Sequence, residues 1–259
     1  MRVFLYLIFF ALDLEYFMDD QNLTPHISHL LSPKYYAIIV AGGTGTRMQS
    51  AVPKQFLLLN DLPVLMHTIL AFTQSAIKPD IILVLPETYH EYWRELCHTH
   101  QFDIPHTLVN GGETRFHSVK NGLDQLLADD NTLVAVHDAV RPLTSTHVIE
   151  TSYQYAQEHG NAVTAVKSRD SVRQLINGRS ISLLRDQIYL IQTPQTFKAN
   201  LLKKAYEQPY NEHFTDDASV VEQDGVEIHL TEGNHQNIKI TFPEDIAIAE
   251  LLLSKIQMA

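Results

Sequence analysis

A glycine-rich segment with two nearby cations is the first feature of this sequence that could do chemistry. The residues Gly42-Gly43-Thr44-Gly45 are followed by Arg47 and then by Lys54. Glycines let the backbone turn tightly and bring N–H groups up to phosphate oxygens. A planar guanidinium and a mobile ammonium can share the charge of a triphosphate. The segment therefore predicts a triphosphate that undergoes transfer.

Two other phosphate-binding patterns fit this segment poorly. A dinucleotide-binding loop would carry a third glycine where Arg47 and Met48 stand, and a P-loop would need Gly-Lys-Ser/Thr. An NAD-binding oxidoreductase also needs an acidic residue at the end of its second strand, and Glu87 after Pro86 meets this only in part. The oxidoreductase stays a distant alternative.

Further polar segments stand where predicted strands or turns end. Within residues 109–115, Gly111 and Gly112 precede a helix, so their amides can reach a base or a ribose. Asp138 follows an apolar strand, and the carboxyl ends of strands face the ligand site in open α/β sheets. Further motif segments lie at residues 118–119, 139–142, 169–171, 192–197, 215–219, 237–241 and 243–245.

Short apolar runs and helical patterns alternate along the chain. Strands are predicted at residues 35–40, 81–85, 133–136 and 162–166. Helices are predicted at residues 62–74, 89–100, 116–127 and 146–159. This alternation predicts an α/β, Rossmann-like fold with a mostly parallel sheet and helices on both faces.

One segment breaks the alternation. Residues 170–184 contain Asn177-Gly178 between alternating residues, which predicts a protruding β-hairpin arm at about residues 168–186. The arm could be a plain surface hairpin. It could also be a dimerisation arm, since a two-stranded hairpin is marginal unless it packs on something.

The composition narrows the class of protein. Acidic residues outnumber basic ones, 30 to 19, for a net charge of -11. This argues against nucleic acid as a partner, because nucleic-acid binding needs a basic face. The single cysteine, Cys97, excludes an internal disulfide and indicates a reducing, cytoplasmic setting.

Residues 1–34 differ from the rest of the chain. Residues 3–12 form an apolar run, whereas spanning a bilayer takes about 20 apolar residues. Asp13 and Glu15 follow the run without a small-residue cleavage site. An extension from an early start codon, a packed helix and an export signal are the alternatives. We expect an extension or a poorly ordered tail, no membrane partner, and one domain over residues 35–259.

The loop, continued by Pro53-Lys54-Gln55, resembles the signature of the sugar-nucleotide pyrophosphorylase superfamily. Together with the downstream segments, the chain from about residue 35 to about residue 250 resembles the 2-C-methyl-D-erythritol 4-phosphate cytidylyltransferases. The resemblance implies that CTP and 2-C-methyl-D-erythritol 4-phosphate give the CDP-linked product and pyrophosphate in the non-mevalonate isoprenoid pathway. A ribitol 5-phosphate cytidylyltransferase of the same fold and a non-catalytic nucleotide-binding module remain as alternatives.

The resemblance also assigns residues to roles. The catalytic residues would be Arg47, Lys54, Arg185 and Lys239. The CTP-binding residues would be Ala41, Gly42, Gly43, Gly45, Gly112, Glu113, Ser118 and Asp138. The residues that bind the second substrate would be Asp138, Ala139, Arg141, Ser171, Arg185, Thr193, Thr215 and Lys239.

A magnesium ion and a second copy of the chain complete the expected site. Mg²⁺ would be held mainly by the CTP phosphates, with Asp138 as a possible ligand. Ser171 and Arg185 would reach the partner subunit's substrate through the arm of a homodimer. Ser171 stands where the family has Thr, and Gln236 stands where an acidic residue is common shortly before Lys239, which is predicted to lie on a short strand.

Overall fold

Strand β1 (Tyr35–Val40) shows how the sequence builds the sheet. Its side chains alternate, so that Ala37 and Ile39 enter one apolar cluster while Ile38 and Val40 enter another. Because both faces are buried, the strand is a continuous apolar run.

The computed structural model describes residues 33–43 and 52–257. The predictions for the first 32 residues lie outside this range.

Six strands join β1 in a seven-stranded sheet. These six strands are β4 (Asp80–Leu85), β5 (Thr107–Asn110), β6 (Leu133–Asp138), β7 (Asn161–Lys167), β10 (Tyr189–Lys198) and β11 (Leu230–Glu232). The other described strands form two separate pairs, β2 (Leu58–Leu59) with β3 (Leu62–Pro63) and β8 (Arg173–Ile176) with β9 (Arg179–Ser182). The sheet has the order β11-β7-β10-β6-β1-β4-β5. Neighbours run parallel, except that β10 is antiparallel to both β6 and β7. The predicted mostly parallel sheet is confirmed.

Helices cover both faces of the sheet, as predicted. They are α1 (Val64–Thr73), α2 (His90–Thr99), α3 (Arg115–Leu123), α4 (Thr146–His159), α5 (Ala199–Ala205), α6 (Asp217–Gln223) and α7 (Glu244–Gln257). Helices α1, α2 and α4 pack on one face, and α3, α5 and α6 pack on the other. Helix α7 belongs to a third cluster with Leu59, Val140 and Ile240.

Helix boundaries follow local capping and hydrogen bonding. Helix α4 has the predicted bounds because the Ser145 side chain accepts a hydrogen bond from the Val148 N–H, and Gly160 ends the helix with φ 91°. Helix α3 ends at Leu123, earlier than the predicted Leu127. Beyond Leu123 the Gln125 and Leu126 N–H groups bond three residues back, to the Gly122 and Leu123 carbonyls, so the chain leaves the α-helical pattern.

The predicted hairpin is present. Strands β8 and β9 pair antiparallel, and Ile176 faces Arg179 across the turn. Asn177 and Gly178 have φ values of 48° and 77°, the pair of positive values that a type I′ turn requires. All residues of both strands are exposed, so the hairpin protrudes from the rest of the described fold.

The strand predicted around Lys239 is wrong. Residues 237–240 form no strand, because the Asn237 and Ile238 N–H groups bond locally to the Asn234 and Gln236 carbonyls.

Over residues 33–43 and 52–257, no helix has the length and apolar composition needed to cross a membrane.

Candidate active site

A cleft of about 380 Å³ opens where β1, β5 and β6 end. Parallel strands place their carboxyl ends at one edge, which is why residues distant in sequence meet there. Ten of the residues predicted to bind or react line the cleft: Ala41, Gly42, Gly43, Lys54, Gly112, Glu113, Ser118, Asp138, Ala139 and Lys239. Gly45 and Arg47 lie outside the described residues.

The loop after β5 is held in shape by Ser118. The Ser118 Oγ accepts a hydrogen bond from the Gly112 N–H at 3.0 Å and donates one to the Thr114 carbonyl at 2.9 Å. A Cβ atom at Gly112 would collide with His117, so only glycine fits this bend. The loop therefore presents a fixed surface to the cleft.

Asp138 is a buried carboxylate facing three cations. Its oxygens lie 3.0 Å from the Lys239 Nζ, 3.3 Å from the Arg141 Nε and 3.8 Å from the Arg115 Nε. Burial would raise the pKa of Asp138, but the charges of Lys239, Arg115 and Arg141 outweigh it and hold that pKa well below its ordinary value. Asp138 is thus ionised, and it orders the cations around it.

Arg115 is a cleft residue to which the sequence analysis gave no role. Its guanidinium pairs with both Asp217 carboxylate oxygens, at 2.9 Å for the Nη1–Oδ1 contact. The Tyr206 hydroxyl donates to the same carboxylate at 2.6 Å, and the Asp217 side chain is fully buried. Both residues fall in segments noted above, but nothing in the sequence links positions this far apart.

Lys54 joins the start of the cleft to the end of the chain. The residue is buried, and its ammonium donates to the Ile240 carbonyl at 3.1 Å. Its neighbour Gln55 donates from Nε2 to the Ala41 carbonyl at 3.0 Å. The charge of Lys54 therefore lies at a fixed place beside the glycine-rich segment.

Two predicted substrate residues lie behind Asp138, and a third lies apart. The buried Thr193 Oγ1 accepts a hydrogen bond from the Asp138 N–H at 3.1 Å. Arg141, also buried, donates to the Asn237 carbonyl at 2.8 Å. Thr215 is exposed next to Asp216, which caps α6, and does not line the cleft.

Ser171 and Arg185 belong to the hairpin and its base. Both are exposed, and the Arg185 Nε lies 3.7 Å from the Asp186 carboxylate. Neither residue lines the cleft of its own chain.

The cleft offers a divalent metal few protein ligands. Its lining contains two carboxylates, Glu113 and Asp138. Among the described residues no group of three or more His, Cys, Asp and Glu side chains is placed to hold a metal ion. Since Mg²⁺ is commonly bound by one or two carboxylates plus substrate phosphates, these residues fit a metal that takes most of its oxygens from a triphosphate.

His137, directly before Asp138, is fully buried. Burial is the largest cause that lowers its pKa to about 3, although the Asp138 charge opposes this effect. The Nδ1 atom has no hydrogen-bond partner, while the Nε2 atom lies 3.3 Å from the Thr144 Oγ1. The ring is therefore neutral in the folded protein.

Replacing His137 with glutamine should remove an acid-sensitive loss of stability. An unfolded histidine takes up a proton below pH ~6.5, whereas the folded His137 resists protonation until its pKa of about 3. The folded state is therefore increasingly disfavoured as pH falls between these values. From pH 7 to pH 5, the unmodified protein should lose about 2 kcal/mol more unfolding free energy than His137→Gln. Urea denaturation measures both losses, and equal losses would contradict a neutral His137.

Comparisons with known proteins agree on one family. Its model, described as 2-C-methyl-D-erythritol 4-phosphate cytidylyltransferase, matches residues 35–255. Relatives of that description are 48 % identical over 220 residues in Bacteroides thetaiotaomicron and 49 % identical over 217 residues in Bacteroides fragilis. These alignments cover 85 % and 84 % of this chain and 100 % and 98 % of the relatives.

Solved structures show the same likeness. The Francisella tularensis 2-C-methyl-D-erythritol 4-phosphate cytidylyltransferase is 30 % identical with a TM-score of 0.71, covering 85 % of this chain and 99 % of its own. The 4-diphosphocytidyl-2C-methyl-D-erythritol synthase of Anaerococcus prevotii is 28 % identical with a TM-score of 0.73, covering 86 % and 96 %.

Proposed function

Because the chain belongs to the 2-C-methyl-D-erythritol 4-phosphate cytidylyltransferase family, we propose that CTP and 2-C-methyl-D-erythritol 4-phosphate react in the cleft around Asp138. The chain is a cytidylyltransferase of the isoprenoid pathway. Its products are 4-CDP-2-C-methyl-D-erythritol and pyrophosphate. The observation that carries the proposed location is the Lys239–Asp138 pair, at 3.0 Å, in the same cleft as Lys54 and the glycine-rich segment.

The nucleotide occupies the part of the cleft formed by the two glycine loops. Backbone groups of Ala41, Gly42 and Gly43 face the triphosphate, and the Gly112-Glu113 turn, held by Ser118, faces the cytidine. Gly45 and Arg47 continue the first loop by sequence. The residues present favour CTP bound between residues 41–43 and the Gly112-Glu113 turn.

The second substrate lies beside Asp138 and Ala139. Lys239 is 41 % exposed, so its ammonium can turn from Asp138 to an incoming phosphate. Arg141 and Thr193 hold Asp138 from behind. Thr215, beside α6 and outside the cleft lining, is proposed as a substrate contact from its sequence position alone. This arrangement aims an anionic nucleophile at the triphosphate.

The chemistry needs cations rather than a general base. A phosphate oxygen of the substrate attacks the α-phosphorus of CTP in line, and the bond from that phosphorus to the pyrophosphate oxygen breaks. The protein brings two polyanions together and spreads the developing charge. Lys54 and Arg47 would stabilise the α-phosphate and the departing pyrophosphate, while Lys239 and Arg185 align the attacking phosphate.

Mg²⁺ is the divalent ion we propose. Asp138 is the carboxylate placed to share in holding this ion. When bound through the CTP phosphates, Mg²⁺ would neutralise part of their charge. The role of Asp138 is then to order both the cationic side chains and the metal.

Release of pyrophosphate tests the function. Pyrophosphate should form from CTP only when 2-C-methyl-D-erythritol 4-phosphate is added. The same assay with ribitol 5-phosphate tests the nearest alternative. A ribitol 5-phosphate cytidylyltransferase would turn over ribitol 5-phosphate faster than 2-C-methyl-D-erythritol 4-phosphate. If neither polyol phosphate causes pyrophosphate release, the result would favour a non-catalytic nucleotide-binding module.

We propose a homodimer in which the arm of one subunit completes the site of the other. The arm exposes apolar side chains, with Leu175 at 73 % and Leu184 at 71 %, and hairpins of this size need a packing surface. Ser171 and Arg185 do not line their own chain's cleft, which supports their use across a dimer.

Cys97 as the single cysteine supports a cytoplasmic enzyme. The match from residue 35 onward supports a catalytic domain over residues 35–259, after the extension of residues 1–34.

Mixing inactive variants should restore activity if the arm acts in trans. In a heterodimer of Arg185→Ala and Lys54→Ala subunits, one of the two sites has no substitution, so about half of the dimer's activity should return. The control is a heterodimer of Lys239→Ala and Lys54→Ala subunits, where each site keeps one damaged residue and no activity returns. Differently tagged subunits and a two-step purification isolate each heterodimer. No recovery in the first mixture would place Arg185 in the site of its own chain.

A further inference from the structure

The buried side chain of Asn237 joins separate parts of the fold next to Lys239. Its Nδ2 donates to the Thr193 carbonyl at 2.9 Å, and its Oδ1 accepts from the Thr144 Oγ1 at 2.8 Å. Its backbone carbonyl accepts from Arg141 at 2.8 Å. Asn237 is fully buried and does not line the cleft, so it cannot touch a substrate there.

Two of the partners of Asn237 lead to Asp138. Thr193 accepts a hydrogen bond from the Asp138 N–H, and Arg141 pairs with the Asp138 carboxylate. Asn237 therefore fixes its own segment to the groups that fix Asp138. Lys239, two residues further along that segment, reaches the same carboxylate.

Residues 237–240 have no strand ladder to hold them. Beyond Lys239, the Ile240 N–H donates to the Val140 carbonyl at 2.9 Å. On the other side, the Asn237 carboxamide bonds to Thr193 of β10 and to Thr144, and the Gln192 side chain of β10 donates to the Asn234 carbonyl at 2.9 Å. A carboxamide both donates and accepts in a fixed plane, so it sets distance and orientation together.

We propose that Asn237 is a positioning residue for the reaction, holding the Lys239 ammonium where it meets the attacking phosphate. The inference rests on the proposed role of Lys239. An error of about 1 Å in such a group can cost on the order of 100-fold in rate. Removal of the Asn237 carboxamide should therefore act through Lys239.

A double-mutant cycle of Asn237→Ala and Lys239→Ala tests this coupling. Asn237→Ala alone should lower kcat/KM for 2-C-methyl-D-erythritol 4-phosphate by about 10- to 100-fold, with the CTP dissociation constant changed by less than about twofold. In the Lys239→Ala background the same substitution should cost less than about twofold, because coupled residues are not additive.

Asn161 provides a matched control. It is also buried, and its side chain donates to the Glu227 carbonyl and accepts from the His229 N–H, both at 2.8 Å. Asn161→Ala should lower the unfolding midpoint as much as Asn237→Ala but leave kcat/KM within about twofold. If Asn237→Ala does not fold, Thr144→Val removes one hydroxyl from the same network and should show a smaller loss with the same dependence on Lys239.

The outcomes separate the two proposals. An equal loss from Asn237→Ala with and without Lys239 would overturn the positioning role. A parallel loss of CTP affinity, or a loss of kcat/KM in Asn161→Ala, would also overturn it. Near-normal kcat/KM in Lys239→Ala alone would instead refute the proposed function of Lys239.

Discussion

Replacement of Lys54 with alanine should lower kcat by about 10²- to 10³-fold, the usual effect of removing one preorganised group that stabilises transition-state charge. Lys54 is buried, fixed to the Ile240 carbonyl and placed beside Ala41, Gly42 and Gly43. Additional negative charge develops on the leaving pyrophosphate oxygen only as its bond to the α-phosphorus breaks. The loss should therefore appear in kcat more than in the KM for CTP.

The ammonium must be tested separately from the packing of the buried side-chain stem. Lys54→Met keeps most of the buried stem and removes the ammonium, so it should lose as much activity as Lys54→Ala. Lys255→Ala is the control, because Lys255 is an exposed lysine on α7. Steady-state kinetics and thermal unfolding should be measured on all three variants. A folded Lys54→Met enzyme with near-normal kcat would refute the mechanism.

Replacement of Arg115 with methionine should destabilise the folded protein by about 3–5 kcal/mol, because it leaves the Asp217 carboxylate buried without its cation. Asp217 is fully buried and the Arg115 side chain is 29 % exposed. The Tyr206 hydroxyl donates to the same carboxylate but brings no positive charge. Arg115 also lies near Asp138, so activity should fall together with stability.

Two further variants test this assignment by urea denaturation. Lys34→Ala removes an exposed pair with Asp129, at 3.5 Å and about half exposed on each side, and should cost no more than about 1 kcal/mol. Arg115→Met combined with Asp217→Leu removes both charges and should recover much of the lost stability. A single Arg115→Met variant as stable as Lys34→Ala would contradict the importance of the buried pair.

Local signals predicted the regular elements well. The apolar run at Tyr35–Val40 and the capped helix at Thr146–His159 both have the predicted bounds. The hairpin turn at Asn177-Gly178 also followed from two neighbouring residues. These features depend on periodicity and turn chemistry, which act over a few residues.

Features that depend on pairing over long distances could not be predicted in the same way. Neither the place of β10 between β6 and β7 nor its direction is encoded by its own ten residues. The Lys239 segment looked like a strand, but its amides bond within a turn. The pairing of Arg115 with Asp217 likewise depends on how α3 and α6 pack on the sheet.

The link from Lys54 to Ile240 has a consequence for the synthesis of the enzyme. The two residues are 186 positions apart, so the cation beside the glycine loops meets its partner near the end of translation. Parallel strands β1, β4 and β5 could pair earlier, since domains fold from the N-terminal side as the chain emerges. A nascent chain released before residues 237–240 would carry much of the proposed nucleotide pocket but would lack Lys239, so we expect it not to transfer the cytidylyl group.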